Sequence, residues 1–317
     1  MKQTNNICDV AKFFKENDCF AILTHQYPDG DTLGSAYGLC NMLQQMGKKA
    51  KVLVNGTLPE KFRYLETGID KTEFEVVNFV SVDVADSKLL GELEIYADKV
   101  KVAIDHHESH RPFAEIYYVK ADSAANCENI FELGKELGIE FNRNICNALY
   151  TGIATDTGCF KYTNVTPETH LIAAQLMKYG CDSYKINKSM FETIPRKKKS
   201  LEAFVIGNME YYHNGEVAFA YTTKEILNKF DISEDQVEGI SAIPRTIEGV
   251  KVGITLREKD EKTFKISVRT NDGVNASEIC NNFGGGGHAA AAGCAIEGNL
   301  QQVKDLILPV VYKYLEK

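Results

Sequence analysis

The chain has 317 residues, 44% of them hydrophobic and 25% charged, with a formal net charge of −8. That length predicts two domains, each able to bury its own core, and no apolar run approaches the eighteen or so residues that a membrane span requires. The acidic balance argues against tight binding to a long nucleic acid, which needs a basic surface, but leaves room for a short nucleotide held by a metal and a few basic groups. The opening MKQTNNICDVAKFF has no apolar stretch ending in a small-residue cleavage site, so no secretion signal is expected. Nine scattered cysteines, none in a CxxC pair, fit a reducing cytoplasm in which cysteine serves as a small apolar residue.

In chain order, CFAILTH predicts a buried strand, residues 32–46 a helix and AKVLV a second strand. FVSVDVAD and VKVAIDHH are two more valine-rich runs, each ending in acidic residues, and helices are expected at about 124–138, 142–155 and 167–180. Strand–helix alternation with β-branched strands predicts an α/β fold with a parallel sheet, whose ligands collect beyond the carboxyl ends of the strands. A polar and basic stretch with IPRKKKS reads as a linker over 185–200, between a first domain at 1–184 and a second at 201–317. The second domain offers strands GEVAFAYTT, VKVGITLRE and TFKISVRT, a glycine-rich turn FGGGGHAAAAG and a final helix from about 299, a smaller α/β unit.

Polar residues gather at three predicted strand ends: His25 to Asp31 in HQYPDGD, Asp83, and Asp105-His106-His107; Asp156 follows an apolar helix. Asp29-Gly30 fits a turn, Asp31 an N-cap, Asp83 a strand end and Asp156 a turn, but a turn needs neither His25 nor a second carboxylate. An adjacent histidine pair after a buried strand has no structural need. Carboxylates at Asp29, Asp31, Asp83, Asp105 and Asp156 converging on one edge repel one another unless cations neutralise them. Oxygen-rich ligation with a few imidazoles suits Mn²⁺ or Mg²⁺, with Fe or Co²⁺ as alternatives, and not a thiolate zinc site. The count fits two divalent ions, the arrangement that clamps attacking and leaving oxygens in phosphoryl transfer.

Gly285, Gly286 and Gly287, followed by His288, predict a backbone nest for phosphate with a helix N-terminus behind it; the alternative is a tight strand-to-helix crossing. Neither a GxGxxG fingerprint nor a P-loop is present. Arg269 is the guanidinium expected on a second phosphate. The run Arg196 to Lys199 reads as a solvated linker face or an anion guide, and His110, His170 and His213 as surface or packing residues.

THQYPDGDTLGS, VDVAD, IDHH and TDTGCFKYT, in that order and followed by FGGGGHAAAAG, resemble the DHH phosphoesterase superfamily from about residue 20 to 294. The C-terminal part is similar to the DHH-associated domain, and the length resembles stand-alone members, the nanoRNase/pAp phosphatases. Thr32 stands where a small residue is common and Asn126-Cys127 where Ser-Thr is frequent, and neither departure is expected to touch a ligand. The resemblance implies His25 and Asp29 on one metal, Asp31, His106 and Asp156 on the other, and Asp83 bridging. His107 would face the substrate phosphate and Asp105 would orient the histidine pair, with Arg269, His288 and the glycines on the substrate side.

The implied function is hydrolysis of short oligoribonucleotides to mononucleotides, dephosphorylation of a 3′,5′-bisphosphonucleoside (pAp), or both, in a cleft between the domains. Mn²⁺ stands ahead of Mg²⁺ or Co²⁺ as cofactor. The same motifs serve a cyclic di-AMP or pApA phosphodiesterase. A single-strand DNA exonuclease would carry a further nucleic-acid module, a pyrophosphatase has no use for the GGGGH turn, and a nucleotide sensor would have lost a carboxylate. Short RNA or nucleotides are the expected partners, in the cytoplasm, with no membrane and no long nucleic acid; a homodimer is compatible with this reading.

Overall fold

The structure, a computed structural model, describes residues 2–4, 6–237, 239–260, 262–271 and 273–316. It divides into two compact units, Met1–Thr193 and Ile194–Lys317. In the first, β1 (Lys2–Gln3), α1 (Ile7–Glu16), β2 (Phe20–Leu23), α2 (Gly30–Gln45), β3 (Ala50–Leu53), β4 (Asn78–Val82), β5 (Val100–Asp105) and β6 (Ile116–Val119) precede a run of helices. These are α3 (Asn126–Leu137), α4 (Arg143–Asp156), α5 (Pro167–Lys178) and α6 (Ser183–Asn187).

The strands form one six-stranded parallel sheet in the order β1-β6-β5-β4-β2-β3. Phe20, Ile22, Val80, Val102 and Ile104 pack under α1 to α4, while Leu23, Val100 and Ala103 pack against the helical segment Ser87–Lys99 on the other face. Burial on both faces is why these strands read as continuous apolar runs. From β2 the chain steps to β3 on one side, then to β4, β5 and β6 on the other. The reversal between β2 and β4 is a topological switch point, where α/β sheets open a crevice at the carboxyl end.

Helix α2 is buried on every side from Gly30 to Leu43 and lies directly against α4. Gly30, Gly34 and Gly38, four residues apart, line the contact. A Cβ on Gly34 would fall 2.4 Å from the Ala148 carbonyl oxygen, and one on Gly152 would fall 2.6 Å from Asp31 Oδ1. Absence of side chains lets the two backbones approach, and that approach brings the start of α2 beside the end of α4.

The second unit contains α7 (Arg196–Gly207), β7 (Glu210–Tyr212), β8 (Val217–Thr222), α8 (Lys224–Lys229), β9 (Val252–Asp260) and β10 (Thr263–Thr270). It continues through α9 (Ala276–Asn281), β11 (Gly286–His288), β12 (Ala291–Glu297) and α10 (Leu300–Leu315). Its mixed sheet runs β11-β12-β10-β9-β8-β7, with only β8 and β9 paired in parallel. One face packs on α9 and α10 through Phe219, Ile254, Ile266, Val268, Ile279 and Val303, and the β8 side of the other face packs on α7 and α8.

Residues 185–200, expected as a linker, are largely helical. A helical turn over Lys188–Glu192 follows α6, and Pro195 caps α7. The basic run forms the first turn of α7, where Lys197 pairs with Asp231 and Lys199 with Glu202. Polarity signalled an exposed surface, and an exposed surface is equally compatible with a helix. All nine cysteines are free, and no helix among the described residues is long and apolar enough to cross a membrane.

Because the obstacle at Gly34 is a backbone oxygen, no rotamer change relieves it. Gly34→Val is expected to lower stability by about 1–3 kcal/mol in urea unfolding, the usual cost of overpacking. Gly207→Ala, with open space around its position at the end of α7, serves as the control and should not lower the midpoint.

Candidate metal centre

β5, β4 and β2 are neighbours and end at one edge, so the residues that follow them meet there. His25 follows β2, Asp83 follows β4, and Asp105 closes β5 with His106 and His107 next in the chain. Asp29 caps α2, Asp31 is its second residue, and Asp156 is the last residue of α4. Their ligand atoms fall into three groups, each within 4.8 Å: His25, Asp29 and Asp83; Asp31, His106 and Asp156; Asp83, His106 and His107. A cavity of about 220 Å³ opens over them, with Tyr27 as an exposed ring in its wall.

Asp83 adopts φ +57°, a left-handed conformation that costs an L-residue about 1–2 kcal/mol. Its carboxyl is turned into the site, where the Thr32 hydroxyl donates to Oδ2 at 2.6 Å and Oδ1 is buried with no hydrogen-bond partner. His106 donates its Nδ1–H to the Ser123 carbonyl at 3.0 Å, which leaves Nε2 free. That nitrogen lies 3.5 Å from Asp83 Oδ1, 3.6 Å from Asp156 Oδ2 and 3.7 Å from Asp31 Oδ2. Such distances are too long for hydrogen bonds, and they suit atoms facing a shared cation. An orphaned carboxylate oxygen and a hard donor set together fit a divalent ion.

Two helix N-termini supply positive ends. Asp29 Oδ1 accepts the Asp31 and Thr32 N–H groups at 3.0 Å each, so Asp29, and not Asp31, is the N-cap of α2. Asp31 is buried and accepts the N–H groups of Asn126 at 2.6 Å and Cys127 at 2.9 Å, placing its charge on the N-terminus of α3. Thr32, Asn126 and Cys127 therefore all touch candidate ligands, contrary to the sequence-based expectation. Side-chain identity matters less at 126 and 127 than their backbone N–H groups.

Asp105 is fully buried. Its Oδ1 accepts the His106 N–H and the His107 Nδ1–H, both at 2.8 Å, and its Oδ2 accepts the His110 Nδ1–H at 2.6 Å. Burial alone would raise this carboxyl, but the bonds from His107 and His110 outweigh it and hold it well below the usual range. His110, expected as a surface or packing residue, is a buried partner of Asp105 that also stacks on Phe113 and Tyr117. The third histidine of DHHESH was the available signal, but spacing alone does not show the chain turning back onto Asp105. His170 stacks on Phe160, and His213 pairs with Glu216.

In the second unit the glycine segment is a hairpin, not a nest before a helix: β11 pairs with β12, and α10 begins only at Leu300. A Cβ on Gly285 would lie 2.2 Å from the Gly293 carbonyl oxygen, and one on Gly287, at φ +147°, would lie 2.6 Å from that of Ala291. Glycine is what lets β11 lie flat on β12. Ala291 pairs with Arg269 on one side and His288 on the other, so these two side chains share one face, roughly 10 Å apart across two strand spacings.

Electrostatics at the first-unit cluster follow from its crowding. Burial and then Asp83 raise Asp31, burial raises Asp83, and burial with Asp31 pushes Asp156 up to about 7. Burial works against His106, yet Asp83 and Asp31 carry it up to about 10, while burial lowers His25. Groups raised on folding stabilise the protein fully below their unfolded values and lose that contribution as pH rises through the folded ones. For Asp156 the loss spans its ordinary 3.8 to about 7; Asp105 acts oppositely, losing its contribution on acidification. EDTA-treated protein is therefore expected to lose thermal stability from pH 5.5 to 8, and Mn²⁺ should raise Tm more at pH 8, where fewer protons compete. A Tm gain independent of pH would mean that these carboxyls do not take the ion.

Models of the DHH family, N-terminal domain, and of the DHHA1 domain match residues 19–153 and 214–317. A Thermus thermophilus protein named bifunctional oligoribonuclease and PAP phosphatase NrnA is 30% identical over 303 residues, covering 93% of this chain and 90% of that one. Its Bacillus subtilis namesake is 26% identical, covering 88% and 90%. Among solved structures, an exopolyphosphatase-related protein from Bacteroides fragilis matches with a TM-score of 0.86 at 27% identity, over 97% of this chain and 96% of its own. Exonuclease RecJ bound to manganese shares the fold at 13% identity and a TM-score of 0.55, over 100% of this chain and 96% of its own. By these matches over most of its length, this chain belongs to the DHH family and carries a DHHA1 domain after its DHH domain.

Proposed function

We propose that this chain is a two-metal phosphoesterase that hydrolyses short oligoribonucleotides to mononucleotides and removes phosphate from a 3′,5′-bisphosphonucleoside such as pAp. The observation that carries the chemistry is the convergence of Asp31, Asp83 and Asp156 on His106 Nε2, with one Asp83 oxygen left without a hydrogen bond. Relatives named oligoribonuclease and PAP phosphatase, similar over most of the chain, support the substrate class. His25, Asp29 and Asp83 would hold one divalent ion, and Asp31, His106 and Asp156 would hold the second, with Asp83 serving both. Mn²⁺ is the expected metal, since carboxylates with imidazoles suit it.

When bound, such a pair supplies neutralising charge to the phosphoryl oxygens and a water acidic enough to attack near neutral pH. The chain's own side chains do the rest. Asp105 accepts the Nδ1–H of His107, raises its pKa and leaves Nε2 to donate to a phosphoryl oxygen, stabilising charge as it develops. His110 anchors the other Asp105 oxygen, and the Thr32 hydroxyl fixes the orientation of the Asp83 carboxyl. Tyr27 offers a ring on which a base can stack. Arg269 and His288 bind a further phosphate, and Gly285, Gly286 and Gly287 allow the hairpin backbone to come close to it.

Mn²⁺-loaded protein given an RNA pentamer, pApA, pAp, cyclic di-AMP and pyrophosphate, with products separated chromatographically, tests the reading. Mononucleotides from the pentamer and phosphate from pAp are expected. Activity confined to cyclic di-AMP or pApA would assign the site to second-messenger turnover, and activity on pyrophosphate alone would overturn the nucleotide reading. His110→Phe keeps the ring stack but removes one donor to Asp105. Turnover is expected to fall about 10–100-fold, the usual effect of losing a residue that orients a ligand shell. Undiminished turnover would show that the Asp105 bond to His110 is only structural.

A further inference from the structure

Strand β10 alternates: Phe264, Ile266 and Val268 enter the core under α9 and α10, and Lys265, Ser267 and Arg269 lie on the opposite face. Register places Arg257 beside Lys265 and Thr255 beside Ser267 on β9, with Ala295 and Gly293 beside the same two residues on β12. A cavity of about 530 Å³ lies over this part of the sheet, with Val237 and Ile240 in its wall and Gly293 in its floor.

Two observations point to a ligand there. Thr255 lines the cavity, is only 6% exposed, and its hydroxyl has no hydrogen-bond partner. A buried hydroxyl left unpaired loses its hydration without recompense, a cost that a ligand donor or acceptor would recover. Independently, Arg257 and Lys265 stand side by side, and among the described residues neither forms an ion pair; Arg257 makes only a 3.4 Å bond to the Glu234 carbonyl. The acidic residues next in register on this face, Glu297 on β12 and Asp260 on β9, stand on either side of Thr263, at the end of β10 remote from Arg269.

Adjacent cations, free hydroxyls and an apolar wall match a nucleotide: phosphate on the cations, sugar on the hydroxyls, base against Val237 and Ile240. Lys265 is four residues from Arg269 on the same face, roughly 13 Å along the strand. A bisphosphonucleoside does not span that distance, whereas a strand of several nucleotides does. We infer that this sheet face is a distal subsite that grips a nucleotide of an oligonucleotide substrate beyond the one held at Arg269. The inference rests on the phosphoesterase reading above and deepens it, since the subsite serves only substrates longer than pAp.

Steady-state kinetics of the Mn²⁺-loaded full chain on pAp and on a 5′-phosphorylated RNA pentamer test it. The double variant Arg257→Gln, Lys265→Ala is expected to raise KM for the pentamer about tenfold at unchanged kcat, with pAp kinetics unaltered. Thr255→Val, which exchanges the orphan hydroxyl for a methyl, should raise the pentamer KM without lowering Tm. An equal effect on both substrates, or none on the pentamer, overturns the subsite. A change seen only in inhibition by added AMP would overturn it too, by making the cavity an effector site. If the wild-type protein turns over neither substrate, the phosphoesterase reading itself has failed, an outcome distinct from failure of the subsite.

Discussion

Like charge packed into a nearly dry edge of a sheet is the constraint around which the first unit is organised. Asp31, Asp83 and Asp105 are almost inaccessible to solvent, and burying a carboxylate without compensation is among the most costly things a fold can do. Each is answered differently. Asp31 rests on the N-terminus of α3, Asp105 accepts two imidazoles and two backbone N–H groups, and Asp83 keeps one oxygen unanswered. The unanswered oxygen distinguishes a binding site from a merely satisfied core.

Meeting that constraint requires helix ends to arrive at the same place as strand ends, and the glycine seam between α2 and α4 achieves this. Without Cβ atoms at Gly34 and Gly152 the backbones close up, and Asp31 at the start of one helix comes near Asp156 at the end of the other. The reversal of strand order between β2 and β4 opens the crevice at the same edge. Packing and chemistry are therefore coupled: a methyl group added on the seam acts on the site as well as on stability. The left-handed turn at Asp83 is a second local cost accepted to aim a carboxyl inward.

The second unit solves a different problem. Its sheet pairs an apolar face with one that is partly open, and the open part carries arginine, lysine and hydroxyls over a floor of alanine and glycine. Small residues on β11 and β12 serve backbone proximity in one place and leave room above the sheet in another. Alanine and glycine in this chain are thus read best by what would collide with a larger side chain.

The amino-acid sequence by itself determined the strand and helix alternation and the candidate ligands of the first unit. Apolar periodicity and the polar residues that interrupt it at strand ends are local properties, readable without knowing the partners. Only the tertiary structure decided which groups surround those residues. Asp29 rather than Asp31 caps α2, Thr32 and the N–H groups of Asn126 and Cys127 hold carboxylates, and His110 returns to Asp105. The basic stretch after α6 became a helix because polarity marks exposure and not conformation. The glycine run became a strand because its fit against β12 depends on residues that follow it in sequence but lie beside it in space. Hydrogen bonds and close contacts depend on distances between residues far apart in the chain, and spacing along the sequence does not encode those distances.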